Sequence, residues 1–198
     1  RAFPLDPSAP ALDDGSRSQA ERLAEKYGSS VSQAQGMIDR LVQVAAQDGL
    51  AMNFHILRSG NTFDAHRLLQ LARVRGLGAE LKERFLKGYF CEGAKLGVAE
   101  DLLRLASEVG LEPDEVQGVL ASDLYASEVR ADLAQARSYG ISGVPFFVIG
   151  RYGVSGAQPA ELLLEALSRA WEEAEDEASG DLGGGVSEGA VCDAKGCD

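Results

Sequence analysis

Long hydrophobic runs and positive charge are both scarce in this sequence. Although 45% of the 198 residues are hydrophobic, no stretch approaches the roughly 18 consecutive apolar residues that a membrane-spanning helix requires. The 31 acidic residues outnumber the 19 lysines and arginines, which gives a formal net charge of −12. This charge argues against nucleic acid or an anionic membrane surface as the main partner. The length suits one sizeable globular domain with an insertion.

Cysteine and histidine are also rare. Three cysteines are too few for the framework of a small secreted disulfide scaffold. Because disulfide-rich scaffolds are typical of secreted proteins, we expect a cytoplasmic protein. Two of them, Cys192 and Cys197, would need further ligands to bind zinc, and His55 and His66 are the only histidines in the sequence. We therefore expect neither a bound metal nor a cofactor.

The segment at residues 139–150 organises the rest of the chain. Its sequence, Tyr-Gly-Ile-Ser-Gly-Val-Pro-Phe-Phe-Val-Ile-Gly, indicates a helix end, a glycine-marked turn and a short buried strand. Pro145 stands at the first residue of this strand, where a residue without an N–H cannot donate to a sheet ladder. Residues 151–156 predict a second short strand, and Pro159 opens a final amphipathic helix.

Between Leu12 and this segment, seven stretches predict helices without a convincing strand among them. A capping box formed by Ser30 and Gln33 supports the second helix, and Asn61 is suited to cap the third. Residues 53–58 indicate a short extended link. A helical block between two parts of a sheet is typical of an insertion. The predicted helices cover residues 17–27, 30–49, 62–75, 77–90, 99–109, a segment from Pro113, and residues 125–139.

Several motifs together resemble a known family. Residues 143–149, a hairpin strand ending in Ser-Gly-Ala-Gln-Pro and a helix follow one another in the order of the C-terminal half of a thioredoxin-like fold. Asn-Thr-Phe-Asp-Ala-His-Arg at residues 61–67 and Tyr-Phe-Cys-Glu-Gly at residues 89–93 are similar to motifs of DsbA-type oxidoreductases of the FrnE subfamily. The resemblance covers residues 1–171.

This resemblance implies an α/β protein, a thioredoxin-like fold with a large all-helical insertion. It assigns residues 1–12 and 139–172 to the thioredoxin-like domain, residues 13–138 to the helical insertion domain, and residues 173–198 to an acidic, glycine-rich tail. The family's N-terminal strand–helix unit carries a Cys-x-x-Cys motif, which this sequence lacks. We therefore expect that unit to precede Arg1.

The resemblance also implies functional residues. In the family the proline is cis beside the redox cysteines, so we expect a cis Val144–Pro145 bond that turns the Val144 backbone toward an extended substrate. Substrate binding would involve Val144, Pro145, His66 and Asn61. The alternative is that Asn61 is a helix cap and His66 a half-buried core residue. Cys91, among aromatic residues, is expected to be structural.

Cys192 and Cys197 form a Cys-x4-Cys motif at the end of a glycine-rich arm. Thiol exchange proceeds by thiolate attack through a mixed disulfide, so a tethered pair can pass electrons to or from another dithiol. We expect a second redox pair that serves the Cys-x-x-Cys centre. The alternatives are two incidental thiols or half of a zinc site.

Three functions fit the sequence. The first is a protein disulfide oxidoreductase or isomerase that acts on disulfide- or thiol-containing proteins or small molecules. The second is a glutathione-dependent enzyme similar to 2-hydroxychromene-2-carboxylate isomerase or kappa-class glutathione transferase, in which a serine replaces the nucleophilic cysteine. The third is a non-catalytic, chaperone-like binding module. The Cys-x4-Cys motif favours the first, because a glutathione transferase needs no tethered dithiol. The sequence leaves the oligomeric state open.

Overall fold

Seven α-helices form the first part of the chain. The computed structural model describes residues 1–13, 15–179, 191–193 and 196–197, and the chain divides into two compact units, residues 1–134 and 135–198. Up to Ser138, the described residues contain no strand, which confirms the predicted helical block. The helices are α1 (Gln19–Tyr27), α2 (Val31–Gln47), α3 (Phe63–Val74), α4 (Gly78–Glu92), α5 (Ala99–Glu108), α6 (Pro113–Leu120) and α7 (Ala126–Ser138), of which α7 passes from the first unit into the second.

The described residues of the second unit form a four-stranded sheet and one long helix. Its strand order is β1-β2-β3-β4, with β1 antiparallel to β2, β2 parallel to β3, and β3 antiparallel to β4. The first two strands lie where the sequence predicts them, but the prediction that β1 is buried is wrong, because Phe147 and Val148 are exposed. In the described residues, no helix is both long enough and apolar enough to cross a lipid bilayer. The elements are β1 (Phe146–Ile149), β2 (Tyr152–Ser155), α8 (Ala160–Ser179), β3 (Val191–Asp193) and β4 (Gly196–Cys197).

The first unit is held together by two apolar clusters. The larger one joins α3, α4, α5 and α6, because each of these helices turns a leucine-, valine- or alanine-rich face inward. The smaller one joins α1 to α2, and Phe54 from the turn after α2 packs against it. The largest fully buried side chains of the larger cluster are Leu68, Leu81, Leu102, Leu105, Val116 and Val119, and the buried members of the smaller one are Ala20, Ala24, Ala34 and Ile38.

Local capping chemistry sets the ends of α1 and α2. Ser18 with Glu21, and Ser30 with Gln33, form complete capping boxes in which each side chain bonds the other residue's backbone N–H. Gly28 ends α1 at a φ of 62°, a conformation that glycine adopts without steric cost. The predicted capping box of α2 is therefore confirmed.

The predicted extended link at residues 53–58 is wrong, because the chain turns at Phe54 and His55. The Asn53 side-chain oxygen accepts a hydrogen bond from the His55 N–H at 3.2 Å. Asparagine commonly folds its own backbone into a turn in this way. The Asn53 N–H donates to the Phe90 carbonyl at 2.7 Å, which holds the turn against the end of α4.

Helix α8 continues through the acidic stretch that composition assigns to a tail. Glutamate and alanine are good helix formers, so residues 172–177 favour continuation of the helix. Two residues of the β1–β2 hairpin also bind Glu173. Its carboxylate accepts a hydrogen bond from the Tyr152 hydroxyl at 2.6 Å and forms an ion pair with Arg151 at 2.8 Å. The glycine-rich segment at residues 180–190 lies outside the described residues.

Arg67 is a buried cation that joins α3 to the end of α6. Its guanidinium donates to the Leu124 carbonyl at 2.9 Å and to the carbonyls of Val119 and Ser122, and it pairs with Asp64 at 2.8 Å. The carbonyls at the end of a helix have no partner within that helix. Arg67 therefore acts as a C-terminal cap for α6, although 52 residues separate it from Val119.

Replacing Arg67 should destabilise the first unit. In Arg67→Ala the buried carbonyls lose their donor, so we expect the free energy of unfolding to fall by about 3 kcal/mol, measured by urea denaturation. Arg73→Ala is the matched control, because Arg73 is exposed on the same helix and bonds only Gln70 among the described residues. Equal stability losses in the two variants would contradict the capping function of Arg67.

Candidate active site

The proline loop, residues 142–145, connects α7 to β1. Gly140, at a φ of 67°, ends α7, and the Ile141 N–H bonds back to the Ala136 carbonyl at 2.9 Å. The Val144–Pro145 peptide bond is cis. The Pro145 carbonyl accepts the Gly156 N–H at 2.9 Å, so the hairpin hydrogen bonding extends one residue beyond β1.

The loop presents backbone and apolar surface for binding. Within the described residues, neither the N–H nor the carbonyl of Val144 makes a hydrogen bond, and its side chain is 52% exposed. Phe147 and Val148 on β1 are also exposed, and β1 is the terminal strand of the described sheet. An unpaired strand edge with free N–H and carbonyl groups is a template for pairing with another extended segment.

Packing beneath β2 fixes the position of this loop. Tyr152 and Val154 are buried against Leu162 and Ala166 of α8. Gly153, between them, lies under the ring of Phe146, and an added Cβ would come within 3.0 Å of that ring. The absence of a side chain at residue 153 thus lets the first residue of β1 pack directly on β2.

The Cys-x4-Cys motif lies in the same sheet as the proline loop. Strand β3 pairs with β2 so that Cys192 aligns with Val154, and β4 returns so that Cys197 aligns with Cys192. Phe147 on β1 is also aligned with Val154. Neighbouring strands lie about 4.8 Å apart, so the Cys192 backbone is about 10 Å across the sheet from that of Phe147. Directly opposed residues of antiparallel strands have Cα atoms about 4.5–5.5 Å apart, a separation that suits a disulfide.

His66 lies on α3 in the first unit, together with a buried carboxylate. Burial and, second to it, the positive charge of the N-terminal amine lower the pKa of His66 to about 4, and the Asp132 carboxylate opposes this shift. Asp132 accepts hydrogen bonds from the Ala2 N–H at 2.8 Å, Arg1 at 3.0 Å and Gln70 at 3.2 Å. Burial acts to raise the pKa of Asp132, but these bonds and the Arg1 charge hold it below the usual value. His66 is therefore neutral and Asp132 ionised at pH 7.

Asn61 is committed to backbone contacts at the start of α3. Its side-chain oxygen accepts the Phe63 N–H at 2.8 Å, and its amide nitrogen donates to the carbonyls of Pro7 at 3.2 Å and Ala9 at 3.1 Å. The N-cap position itself is Thr62, so the helix starts one residue later than predicted. These bonds tie the N-terminal segment to α3, and a contact of Asn61 with substrate stays a prediction.

The structure thus groups the predicted site residues into three sets. Val144 and Pro145 share one loop, Cys192 and Cys197 share one hairpin of the same sheet, and Asn61 and His66 lie on the other unit. The third cysteine, Cys91, is a half-buried free thiol on α4. The described residues include no group of three or more His, Cys, Asp and Glu side chains that could hold a metal ion.

Asp132 is the residue of interest that sequence reasoning missed. It follows Val129 and precedes Ala136 at helical spacing, and both of these are buried. A carboxylate on the apolar face of a helix signals a buried charge that requires partners. The pattern could have identified Asp132 itself, but Arg1 and Ala2 are about 130 residues away and give no local sign of the pairing.

Comparisons with known proteins agree with this arrangement. The family model for the DSBA-like thioredoxin domain matches residues 1–168. The chain belongs to the DSBA-like thioredoxin domain family. Its fold is therefore thioredoxin-like with a helical insertion, as predicted. A crystal structure of a probable DsbA oxidoreductase from Streptomyces coelicolor is 41% identical, with a TM-score of 0.79 over 100% of this chain and 82% of that one. The comparison with curated proteins found no match.

The low pKa of His66 predicts a pH-dependent stability. An unfolded histidine titrates near 6.5, so between about pH 6.5 and pH 4 the unfolded chain binds the extra proton and stability falls as the pH falls. The fall in the free energy of unfolding between pH 6.5 and pH 4 should be about 2 to 3 kcal/mol smaller in His66→Gln than in the parent protein, measured by urea denaturation across that range.

His55→Gln is the control, because His55 is exposed. An NMR titration gives an independent reading of the His66 imidazole. A midpoint for His66 near pH 6.5 would show that its burial in solution is much smaller than the structure indicates.

Proposed function

We propose that this protein is a thiol–disulfide oxidoreductase of the FrnE type. The main support for this proposal is that the family model for the DSBA-like thioredoxin domain matches residues 1–168. The similar Streptomyces coelicolor protein is a probable DsbA oxidoreductase. The unpaired Val144 backbone and the Cys192 and Cys197 pair in one sheet support the same reaction class.

Substrate binds by strand addition at the proline loop. An extended segment of a disulfide- or thiol-containing protein, or a small molecule with a peptide-like backbone, would pair with the free N–H and carbonyl of Val144. The exposed side chains of Val144 and Phe147 supply apolar contacts beside that backbone. Because main-chain bonds carry no sequence information, this binding mode suits substrates of varied sequence.

Cys192 and Cys197 serve as a second redox pair. In the reducing direction, a thiolate of the pair attacks a disulfide and forms a mixed disulfide, and the other thiolate then displaces the remaining thiol. The pair is oxidised to a disulfide, while its two electrons and two protons pass to the attacked disulfide, which becomes two thiols. The family resemblance implies a primary Cys-x-x-Cys centre, and the tail pair exchanges with it. Isomerisation uses only the first of these steps: another thiolate of the same substrate displaces the attacking thiolate from the mixed disulfide and forms a different disulfide, with no net change of oxidation state.

Removing the tail pair should impair turnover without affecting the fold. In the full-length protein, we expect Cys192→Ser/Cys197→Ser to lower insulin reduction and disulfide isomerisation by about tenfold, because the primary centre loses its exchange partner. Cys91→Ser is the matched control, since it removes the third thiol from a half-buried position on α4. Unchanged activity in both assays would limit the tail pair to a structural role.

A charge at the proline loop should weaken substrate binding. We expect Val144→Asp to raise the KM for a disulfide-containing peptide by about tenfold, because losing a buried valine contact costs about 1.5 kcal/mol. Val74→Asp is the control, because Val74 is similarly exposed at the end of α3. An equal KM for Val144→Asp and the parent protein would show that substrate does not contact this loop.

A further inference from the structure

Helix α2 has an apolar face that α1 covers only in part. Ala34, Ile38 and Ala45 are buried, and the first two pack against α1. Met37, Leu41 and Val44 follow the i, i+4, i+7 spacing that places side chains on one face of a helix. Each of them is about half exposed, at 50%, 48% and 51%. The apolar surface of α2 is thus wider than its intramolecular contact.

This exposed face, the α2 stripe (Met37, Leu41, Val44), has a groove at one end and a leucine at the other. The groove has a volume of about 550 Å³. At Gly36 no atom lies within 4 Å of the position that a Cβ would occupy. Leu50 is 46% exposed just beyond the C-terminus of the helix. The residues that line the groove are Gly28, Ser29, Gln33, Gly36, Met37 and Arg40.

Two unpaired charges of opposite sign accompany the stripe. Arg40 lines the groove, and Asp48 is the C-cap residue of α2. In the part of the chain that the structure describes, neither side chain forms an ion pair or a hydrogen bond. Arg40 and Asp48 are eight positions apart, which corresponds to about 12 Å along the helix axis.

We propose that the α2 stripe is the contact face of a homodimer in which two α2 helices lie antiparallel about a two-fold axis. Reversing one helix around a centre near residue 43 brings Arg40 of each copy within about one helical turn of Asp48 of the other. The same operation places Leu50 of one copy opposite the groove at Gly36 of the other. The face is therefore complementary to itself in charge.

A second copy fits this face better than a strongly charged partner does. Met37, Leu41 and Val44 require an apolar counterpart, and Arg40 and Asp48 require one charge of each sign at the matching distance. Only a surface that carries both charges satisfies both ends of the stripe. An aligned apolar stripe with a polar rim is also the composition of a protein–protein interface, whereas isolated exposed apolar residues are common on monomers.

Sedimentation velocity of the full-length protein tests the dimer. We expect the parent protein to sediment as a dimer at micromolar concentration, and Leu41→Glu to raise the dissociation constant by at least about 100-fold, because it places two carboxylates at the centre of the contact. Leu86→Glu is the matched control, since Leu86 is 44% exposed on α4. Circular dichroism checks that both variants keep their helices.

A charge exchange separates a specific contact from general stickiness. Arg40→Glu and Asp48→Arg should each weaken dimerisation by about tenfold, and the double variant should restore it, because the ion pairs form again with reversed sign. Three results would overturn the proposal. The parent protein could remain monomeric at 100-fold above micromolar concentration, or Leu41→Glu could leave the dimer intact. The double variant could also dimerise no more tightly than the single variants.

Discussion

Strand β2 connects the strand that follows the proline loop to the strand that contains Cys192, because it is hydrogen-bonded along both edges. One edge pairs with β1, which follows the proline loop, and the other pairs with β3, which contains Cys192. Its buried side chains, Tyr152 and Val154, hold the sheet on α8. A change that displaced β2 would therefore move the proline loop and the tail pair together, whereas a change in β4 would affect the tail pair alone.

The proposed substrate binding depends on backbone groups that the sheet leaves without a hydrogen-bond partner. Sheet hydrogen bonds satisfy the backbone of β1 on one side, but the Val144 N–H and carbonyl have no partner within the described residues. Such groups favour an extended substrate at the place where the strand begins. In the proposed function, the tail pair and the substrate share one sheet, because β3 is separated from β1 by β2 alone.

Features with a local cause could be predicted from the sequence, and features with a distant cause could not. The capping box at Ser30 and the two strands after Pro145 depend on neighbouring residues, and both lie where expected. The acceptors of Arg67 and the pairing of β3 with β2 depend on segments far along the chain. Asn61 shows both cases, because its bond from the Phe63 N–H is local and its bonds to the N-terminal segment are not.

The most direct test of the function is to trap the exchange at the tail. A full-length Cys197→Ser variant is first reduced, then mixed with a disulfide-containing peptide, and the reaction is quenched with acid. The protein is then digested, and mass spectrometry identifies the disulfide-linked fragments. We predict a mixed disulfide that joins Cys192 to the primary dithiol or to the peptide, since the resolving thiol is absent. If Cys192 stays reduced while the peptide is turned over, the tail takes no part in the reaction.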